Sequence, residues 1–313
     1  MVDNVNSSAN GAELIPFSVG IISTGFFTLP LQVAKATGSM KKFGLALEVV
    51  DTHGESPVDL LKSGDIQVGA VPPEGIIKRI ESEKSDIQII AGNTGKLILD
   101  IIARPQFTKF SDLKGAVFGT INADGGTLYQ FQEIAHRNGL GPDDYRVNRL
   151  GGAPARWKAL QAGTIDVALQ PPPLNYMAED AGFNNLGHSY DFIPEYQYGI
   201  FAADMGWAQS NGDTLTAFLR GLMETAKFTY DPANKDDVVS IAVNLIGLEK
   251  RYAERGWQEF HDRRPLPLDL GVNMAGMRKV LEIMIHAGQL PSDTKIDPAK
   301  YIRGDFLANA QSF

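Results

Sequence analysis

Short apolar runs and stretches of helical spacing alternate along the first two thirds of the chain, and the last third is patterned for helices alone. Residues 17–22, 44–50, 87–91, 116–121, 146–150 and 165–169 read as strands. The run 44–50 (Gly-Leu-Ala-Leu-Glu-Val-Val) is nearly continuous, as in parallel strands covered on both faces. Helical spacing predicts helices over 28–37, 57–62, 75–83, 126–138 and 153–161, and Pro30 suits the first turn of the first one. The apolar segments 97–103 and 197–203 are expected to cross between two halves of the fold. Beyond residue 213, Leu215, Phe218, Leu219, Leu222 and Ala226 recur at helical spacing. Val238, Val239, Ala242, Leu245 and Ile246 do the same, and so do Met277, Val280, Leu281, Met284 and Ile285. Such stripes are read as core.

Two of these stretches share one frame, 99 positions apart. Leu61-Lys62-Ser63-Gly64-Asp65-Ile66-Gln67-Val68 leads to Pro72-Pro73, and Leu160-Gln161-Ala162-Gly163-Thr164-Ile165-Asp166-Val167 leads to Pro171-Pro172. Each reads as a helix end, a glycine stop, a short buried strand and a loop that cannot extend it. The same offset relates Val19-Gly20-Ile21-Ile22 to Phe118-Gly119-Thr120-Ile121. Two similar β-α-β-α-β units are therefore expected to form two α/β lobes. Each would be a mostly parallel sheet flanked by helices, with a cleft between them and two crossing strands as hinge. Residues 1–16 are expected to be a disordered N-terminal segment. Lobe 1 is assigned 17–100 plus 204–313 with the C-terminal helices, and lobe 2 is assigned 101–203.

At 313 residues the chain accommodates two lobes, and its 43% hydrophobic and 21% charged residues suit a globular protein. A formal charge of -8 argues against a nucleic-acid partner. With no cysteine, thiolate metal sites, disulfides and Cys nucleophiles are excluded. His136, His188, His261 and His286 show no metal-ligand spacing and are read as structural, so no metal and no cofactor are expected. Residues 1–13 carry neither a charged n-region nor an apolar h-region. The chain is thus expected to be cytoplasmic, or, if an export signal has been removed, periplasmic or lipid-anchored outside the cytoplasm. A monomer is expected.

In open parallel sheets ligands sit beyond the carboxyl ends of the strands, which selects loops 23–28, 52–57, 72–75, 93–96, 122–127, 151–157 and 170–174. From these the candidate ligand contacts are Ser23, Thr24, Gly25, Phe26, His53, Pro73, Glu74, Lys96, Asn122, Asp124, Gly125, Gly126, Thr127, Gly152, Arg156 and Pro172. Amides exposed by the Gly125-Gly126 and Gly151-Gly152 pairs can donate to a carboxylate or sulfonate. Arg156 either clamps that anion or is a solvated helix residue. Lys96 is either a hinge ion pair or a ligand contact, and His53 either faces the cleft or is solvated. Phe26, Phe27 and Trp157 form an aromatic wall or pack in the core, packing being the better reading for Phe27. Tyr129 is read as packing, and Asp65 and Asp166 as residues that hold turns.

Several phrases, in order, resemble the periplasmic substrate-binding proteins of ABC importers in the nitrate/sulfonate/taurine class, the NMT1/THI5-like family. They are Pro30-Leu31-Gln32-Val33-Ala34-Lys35, Lys42-Phe43-Gly44-Leu45, the two Leu-x-x-Gly-x-Ile-x-Val frames, and Phe110-Ser111-Asp112-Leu113-Lys114-Gly115. The resemblance spans about residues 17–260 and implies a type II, periplasmic-binding-protein-like fold. It also implies a small organic anion as ligand and an ABC permease as partner if the protein is exported. Phe26-Phe27 stands where small or polar residues are expected, which favours a ligand with an aromatic or apolar part.

The first reading is a solute-binding protein that captures a small organic anion and delivers it to an importer. The alternative is a cytoplasmic enzyme on the same fold, lyase- or decarboxylase-like, acting on a small aromatic or carboxylate substrate. It would use His53 as acid/base and Arg156 or Lys96 as anchor. The family's Cys-dependent desulfinase, and its pyrimidine-precursor synthase with a Cys-rich motif, do not match a Cys-free chain. A ligand-sensing module would need an effector domain these residues do not contain.

Overall fold

The computed structural model describes residues 13–53, 56–121 and 126–312. Among the described residues the strands are β1 (Ile15–Ile21), β2 (Leu45–Asp51), β3 (Val68–Val71), β4 (Ile87–Thr94), β5 (Asp100–Ala103), β6 (Val117–Thr120), β7 (Arg146–Arg149), β8 (Val167–Gln170), β9 (Asn184–His188) and β10 (Gly199–Asp204). They form two five-stranded sheets, ordered β2-β1-β3-β10-β4 and β7-β6-β8-β5-β9. In each, three parallel strands are followed by one antiparallel strand that has crossed from the other half. The fold is thus the expected two-lobed α/β architecture, with the first frame in one sheet and the second frame in the other.

The repeat has a physical cause that holds in both halves. The helices Val58–Ser63 and Ala153–Ala162 end at Gly64 and Gly163, whose φ of +80° and +69° favour a residue without a Cβ. Ile66 lies against Gly20, where an added Cβ would come within 2.5 Å of the Ile66 Cδ1. Ile165 lies against Gly119 in the same way. The next side chain bonds to β1 in one lobe and β6 in the other. The Ser18 amide donates to Gln67 Oε1 at 2.7 Å, and the Val117 amide donates to Asp166 Oδ2 at 2.9 Å. Register agrees too, with Val19 opposite Val68 and Phe118 opposite Val167.

The lobe boundaries differ from those expected at three places. Order begins before residue 17: β1 opens at Ile15 and Leu14 is buried, while residues 1–12 lie outside the described residues. The strand β10 belongs to the first sheet although 101–203 was assigned to the second lobe. It hydrogen-bonds β3 and β4 because the chain has already crossed back by residue 198. The helix Met274–His286 is not confined to lobe 1. It packs on both Pro73–Glu83 and Gly126–Arg137, its Met277, Val280, Leu281 and Met284 joining a core shared by the two lobes. The strand β9 had no sequence signal, because Asn-Asn-Leu-Gly-His carries no apolar alternation.

Each crossing is pinned by hydrogen bonds of its own. The Ser189 amide donates to the Leu99 carbonyl at 2.9 Å. Gln197 accepts from the Asn273 amide at 2.7 Å and donates to the Gly199 carbonyl at 2.6 Å. Among the described residues no helix is long and apolar enough to cross a membrane.

Candidate functional site

The carboxyl ends of β1, β3, β6 and β8 face each other across the interlobe cleft, and the lobes are closed. Ser23 Oγ lies 3.8 Å from where a Cβ on Gly152 would stand, and a Cβ on Gly126 would collide with the Glu74 carboxyl. A void of about 10 Å³ remains nearby, lined by Phe26, Ile98, Pro172, Glu259 and Arg263. That is about the space of one water.

Beneath the rims lies a buried polar cluster fed by both lobes and the hinge. Arg156, four residues into the helix Ala153–Ala162, is 2% exposed. Its Nη1 donates to the Gly151 carbonyl and its Nη2 to the Leu169 carbonyl, both at 3.0 Å, and its Nε has no partner. No carboxylate pairs with it among the described residues. Burial pulls its pKa down to about 10, with Tyr198 acting in the opposite sense, so it stays charged at neutral pH. Next to Leu169, the fully buried Gln170 has neither side-chain oxygen nor nitrogen satisfied.

Glu74 enters from lobe 1 as the second residue of the helix Pro73–Glu83 and is 1% exposed. Its Oε1 accepts from the Tyr196 hydroxyl, and its Oε2 has no partner. Burial pushes its pKa up to about 7, against the Tyr196 bond and its own backbone amide. Tyr196 is raised well above its ordinary value, first by burial and then by the Glu74 charge, with Gln130 within hydrogen-bonding reach of its hydroxyl. Tyr198, two residues on, is pushed up to about 12 by burial. Arg156 lowers that value and Glu74 raises it, so both opposite charges act on one hydroxyl.

A second cluster lies along the same edge, at the ends of β5 and β9. Asp100, 2% exposed, accepts from His188 Nδ1 at 2.6 Å, Asn175 at 2.8 Å and Asn185 at 3.0 Å. The bond to Asp100 raises the His188 pKa. Outside it, the helix Lys250–Arg263 reaches the helix Leu174–Asp180 of the other lobe. Arg255 meets Glu179 at 2.8 Å, Arg251 meets Asp180 at 3.0 Å, and Tyr176 donates to Glu259. Burial raises the Glu259 pKa.

The sequence-selected residues divide sharply. Glu74, Gly126, Gly152, Ser23 and Pro172 meet at the closed interface, and Arg156 is buried in lobe 2 on the carbonyls of Gly151 and Leu169. Thr127 is buried and shares a hydrogen bond with Thr120 at 3.0 Å, and Pro73 is the buried first residue of its helix. Thr24 is committed to Asp51, to which its amide and hydroxyl donate at 2.8 and 2.7 Å, and Gly25 bonds to Thr28. Asn122, Asp124 and Gly125 lie outside the described residues.

Three expectations are corrected. His53 is no cleft acid/base: its side chain is 88% exposed on the turn after β2, 3.5 Å from Asp51. Phe26 is core, tucked against Gly256 of the helix Lys250–Arg263, where an added Cβ would come within 2.5 Å of its ring. Phe27 is the half-buried one of the pair. Lys96 is a surface tie, its Nζ donating to the Arg263 carbonyl at 3.0 Å. Trp157 packs edge-on against Phe183 in the lobe 2 core, and the solvated reading of Arg156 is excluded by its burial. Sequence reasoning missed Tyr196, Tyr198, Gln130 and the Asp100–His188 pair. Gln170 heads a loop that the strand-end rule does select.

The NMT1/THI5 like family profile matches residues 27–235. Among solved structures, the ligand-binding component of an ABC-type import system from Staphylococcus aureus superposes with a TM-score of 0.76 at 14% identity, covering 95% of this chain and 99% of that one. The alkanesulfonate-binding protein SsuA from Xanthomonas axonopodis pv. citri gives 0.74 at 15% identity, covering 94% and 99%. The periplasmic nitrate-binding protein NrtA from Synechocystis PCC 6803 gives 0.75 at 15% identity, covering 95% and 88%. No curated protein matches the chain in sequence.

Proposed function

The chain belongs to the NMT1/THI5-like family, and from that premise we propose that it is a solute-binding protein that closes its two lobes on one small organic anion, a carboxylate or sulfonate. The observation that carries this is Arg156. A guanidinium taken out of water with only carbonyl partners costs several kcal/mol, and an anion in the cleft removes that cost through charge-assisted, bidentate bonds. The unsatisfied Gln170 amide beside it supplies a further donor. The hinge supports a capture cycle of opening, loading and closing. The family and the importer components that share the fold support delivery to an ABC permease outside the cytoplasm.

An acid/base enzyme built on His53 has no support in the cleft, because that side chain is in solvent. The test is calorimetry and thermal shift against small carboxylates and sulfonates. A 1:1 complex is expected, weakened at least a thousandfold by Arg156→Gln. A panel without a single binder, or a binder indifferent to Arg156→Gln, overturns the reading.

A further inference from the structure

Four charged residues of the helix Lys250–Arg263 recur at every fourth position: Arg251, Arg255, Glu259 and Arg263. That spacing sets them on one stripe of the helix, and each of them meets lobe 2. Arg251 pairs with Asp180 at 3.0 Å and Arg255 with Glu179 at 2.8 Å. Arg255 also lies over the Tyr176 ring, and the Arg263 guanidinium stands 4.2 Å from the centre of the Tyr190 ring. Glu259 accepts from the Tyr176 hydroxyl. The opposite face of the helix belongs to lobe 1, where Ala253 and Trp257 pack with Phe26, Val238 and Ala242 in a small core of their own. A helix rooted in one lobe and engaged along a whole stripe with the other has the form of a latch.

Glu259 is the one acid of the stripe and its least exposed member, at 17%. Arg263 Nη1 lies 2.7 Å from it on the same helix. From lobe 2 it faces Tyr176 and the Asp100–His188 pair. Asn175, the neighbour of Tyr176, donates to Asp100 at 2.8 Å, and the His188 ring stacks on the Tyr190 ring that Arg263 covers. Shutting the lobes therefore takes the Glu259 carboxyl out of water and brings it toward a second, buried carboxylate, Asp100, with Arg263 and His188 as the positive charges. Desolvation and a like charge both favour the protonated acid. In the shut form the Glu259 pKa is raised, first by burial, with the Tyr176 bond and Arg263 opposing.

We infer that the helix Lys250–Arg263 is a proton-linked latch, in which protonated Glu259 holds the lobes shut and its ionisation loosens them. This rests on the solute-binding reading and adds a control to its cycle of opening and closing. Because the acid binds its proton more tightly when shut, the linkage favours the shut form fully below the ordinary value of 4.5. That advantage is lost as pH rises through the raised value.

The experiment needs no ligand. The chain has no cysteine, so spin labels on Lys158→Cys in lobe 2 and Asp237→Cys in lobe 1, both exposed positions, report the separation of the lobes by pulsed electron resonance. The ratio of long to short separations is expected to rise by about threefold or more between pH 5 and pH 8. Glu259→Gln keeps an acceptor for Tyr176 and never ionises, so in the same labelled background it should remove that rise and stay shut at pH 8. A ratio that does not move with pH in the unsubstituted labelled protein overturns the latch, and that comparison decides even if Glu259→Gln does not fold. An equal rise in Glu259→Gln also overturns it, since another group such as Glu74 or His188 would then be the source. A protein that latches with pH as expected, yet binds no carboxylate or sulfonate, keeps the latch and loses the anion reading.

Discussion

The two copies of the frame are alike where they pack and unlike where they meet the cleft. Gly20 with Ile66 and Gly119 with Ile165 make the same close contact, and Gln67 and Asp166 cap the same strand amide. Yet the cluster receives an acid from the first half, Glu74, and a base from the second, Arg156. Positions that fill the core are held by volume, since an interior at crystal-like density tolerates little change. Positions at the strand ends are held only by what they bind. The halves kept a scaffold and parted in chemistry, which makes the rim, rather than the repeat, the place to look for function.

The sharpest way to break that contrast is Arg156→Gln. It should cost the anion complex at least a thousandfold, about 4 kcal/mol. The unfolding midpoint without ligand should stay the same or rise, because an unpaired buried charge is removed. Calorimetry and thermal melts on one preparation read both. A variant that loses stability and binding together would mean Arg156 is scaffold after all.

Glu74→Gln comes next, and its effect depends on pH. The Glu74 carboxyl is raised from 4.5 to about 7 in the fold, so the folded state holds a proton that the unfolded chain has released. Its contribution is fully present below pH 4.5 and is lost as pH rises through about 7. Above pH 7 the ionised, buried carboxylate is worth roughly 3 kcal/mol of lost stability. The groups facing it are the Tyr196 hydroxyl, Tyr198 and the amino end of the helix Gly126–Arg137. Urea unfolding at pH 8 should find Glu74→Gln more stable than wild type, with the gap closing near pH 4.5. A gap independent of pH would show that the carboxyl stays paired and ordinary.

On the scaffold side, Gly20→Ala and Gly119→Ala should each cost about 1–3 kcal/mol by overpacking. They should respond differently to relief. An Ala at 119 collides mainly with the Ile165 Cδ1, and the Leu150 methyl stands off at 3.4 Å, so Ile165→Val removes the obstacle. An Ala at 20 also meets the Pro57 Cβ at 2.7 Å, part of a stiff ring, so Ile66→Val relieves only part. Denaturant midpoints of the single and double variants test this. Equal rescue in both halves would show that the two contacts are the same in energy as well as in position.

The same division decides what could be read from sequence. Helix stops, short buried strands and close-packed glycines follow from local chemistry and patterning, so both lobes, the repeat and the strand-end loops were legible. Arg156 and Glu74 could be named because they sit in those loops. The loops do not reveal burial, which turned His53 outward and Phe26 inward. Tyr196 and Tyr198 were invisible for a different reason. They lie in a crossing that looks like plain connection (Pro194-Glu195-Tyr196-Gln197-Tyr198), and only the tertiary fold sets Tyr196 against Glu74. Asp100 and His188 meet only because β5 and β9 pair across 88 positions of chain.

The smallest effect belongs to contacts outside both clusters, where Arg255 of the helix Lys250–Arg263 pairs with Glu179 of lobe 2 and its guanidinium lies 3.9 Å from the centre of the Tyr176 ring. Their side chains are 50% and 29% exposed, so water and salt screen the pair and it is worth about 0.2–1 kcal/mol. Unlike the frame contacts, it exists only while the lobes are closed. Arg255→Ala should therefore leave each lobe intact and tax closure alone, weakening ligand affinity by up to about fivefold. The deficit should shrink as ionic strength rises toward 1 M, where the Debye length falls to about 3 Å. Titrations of both proteins at low and high salt read this directly. A loss of tenfold or more, or one insensitive to salt, would place Arg255 among the residues that hold the fold rather than those that shut it.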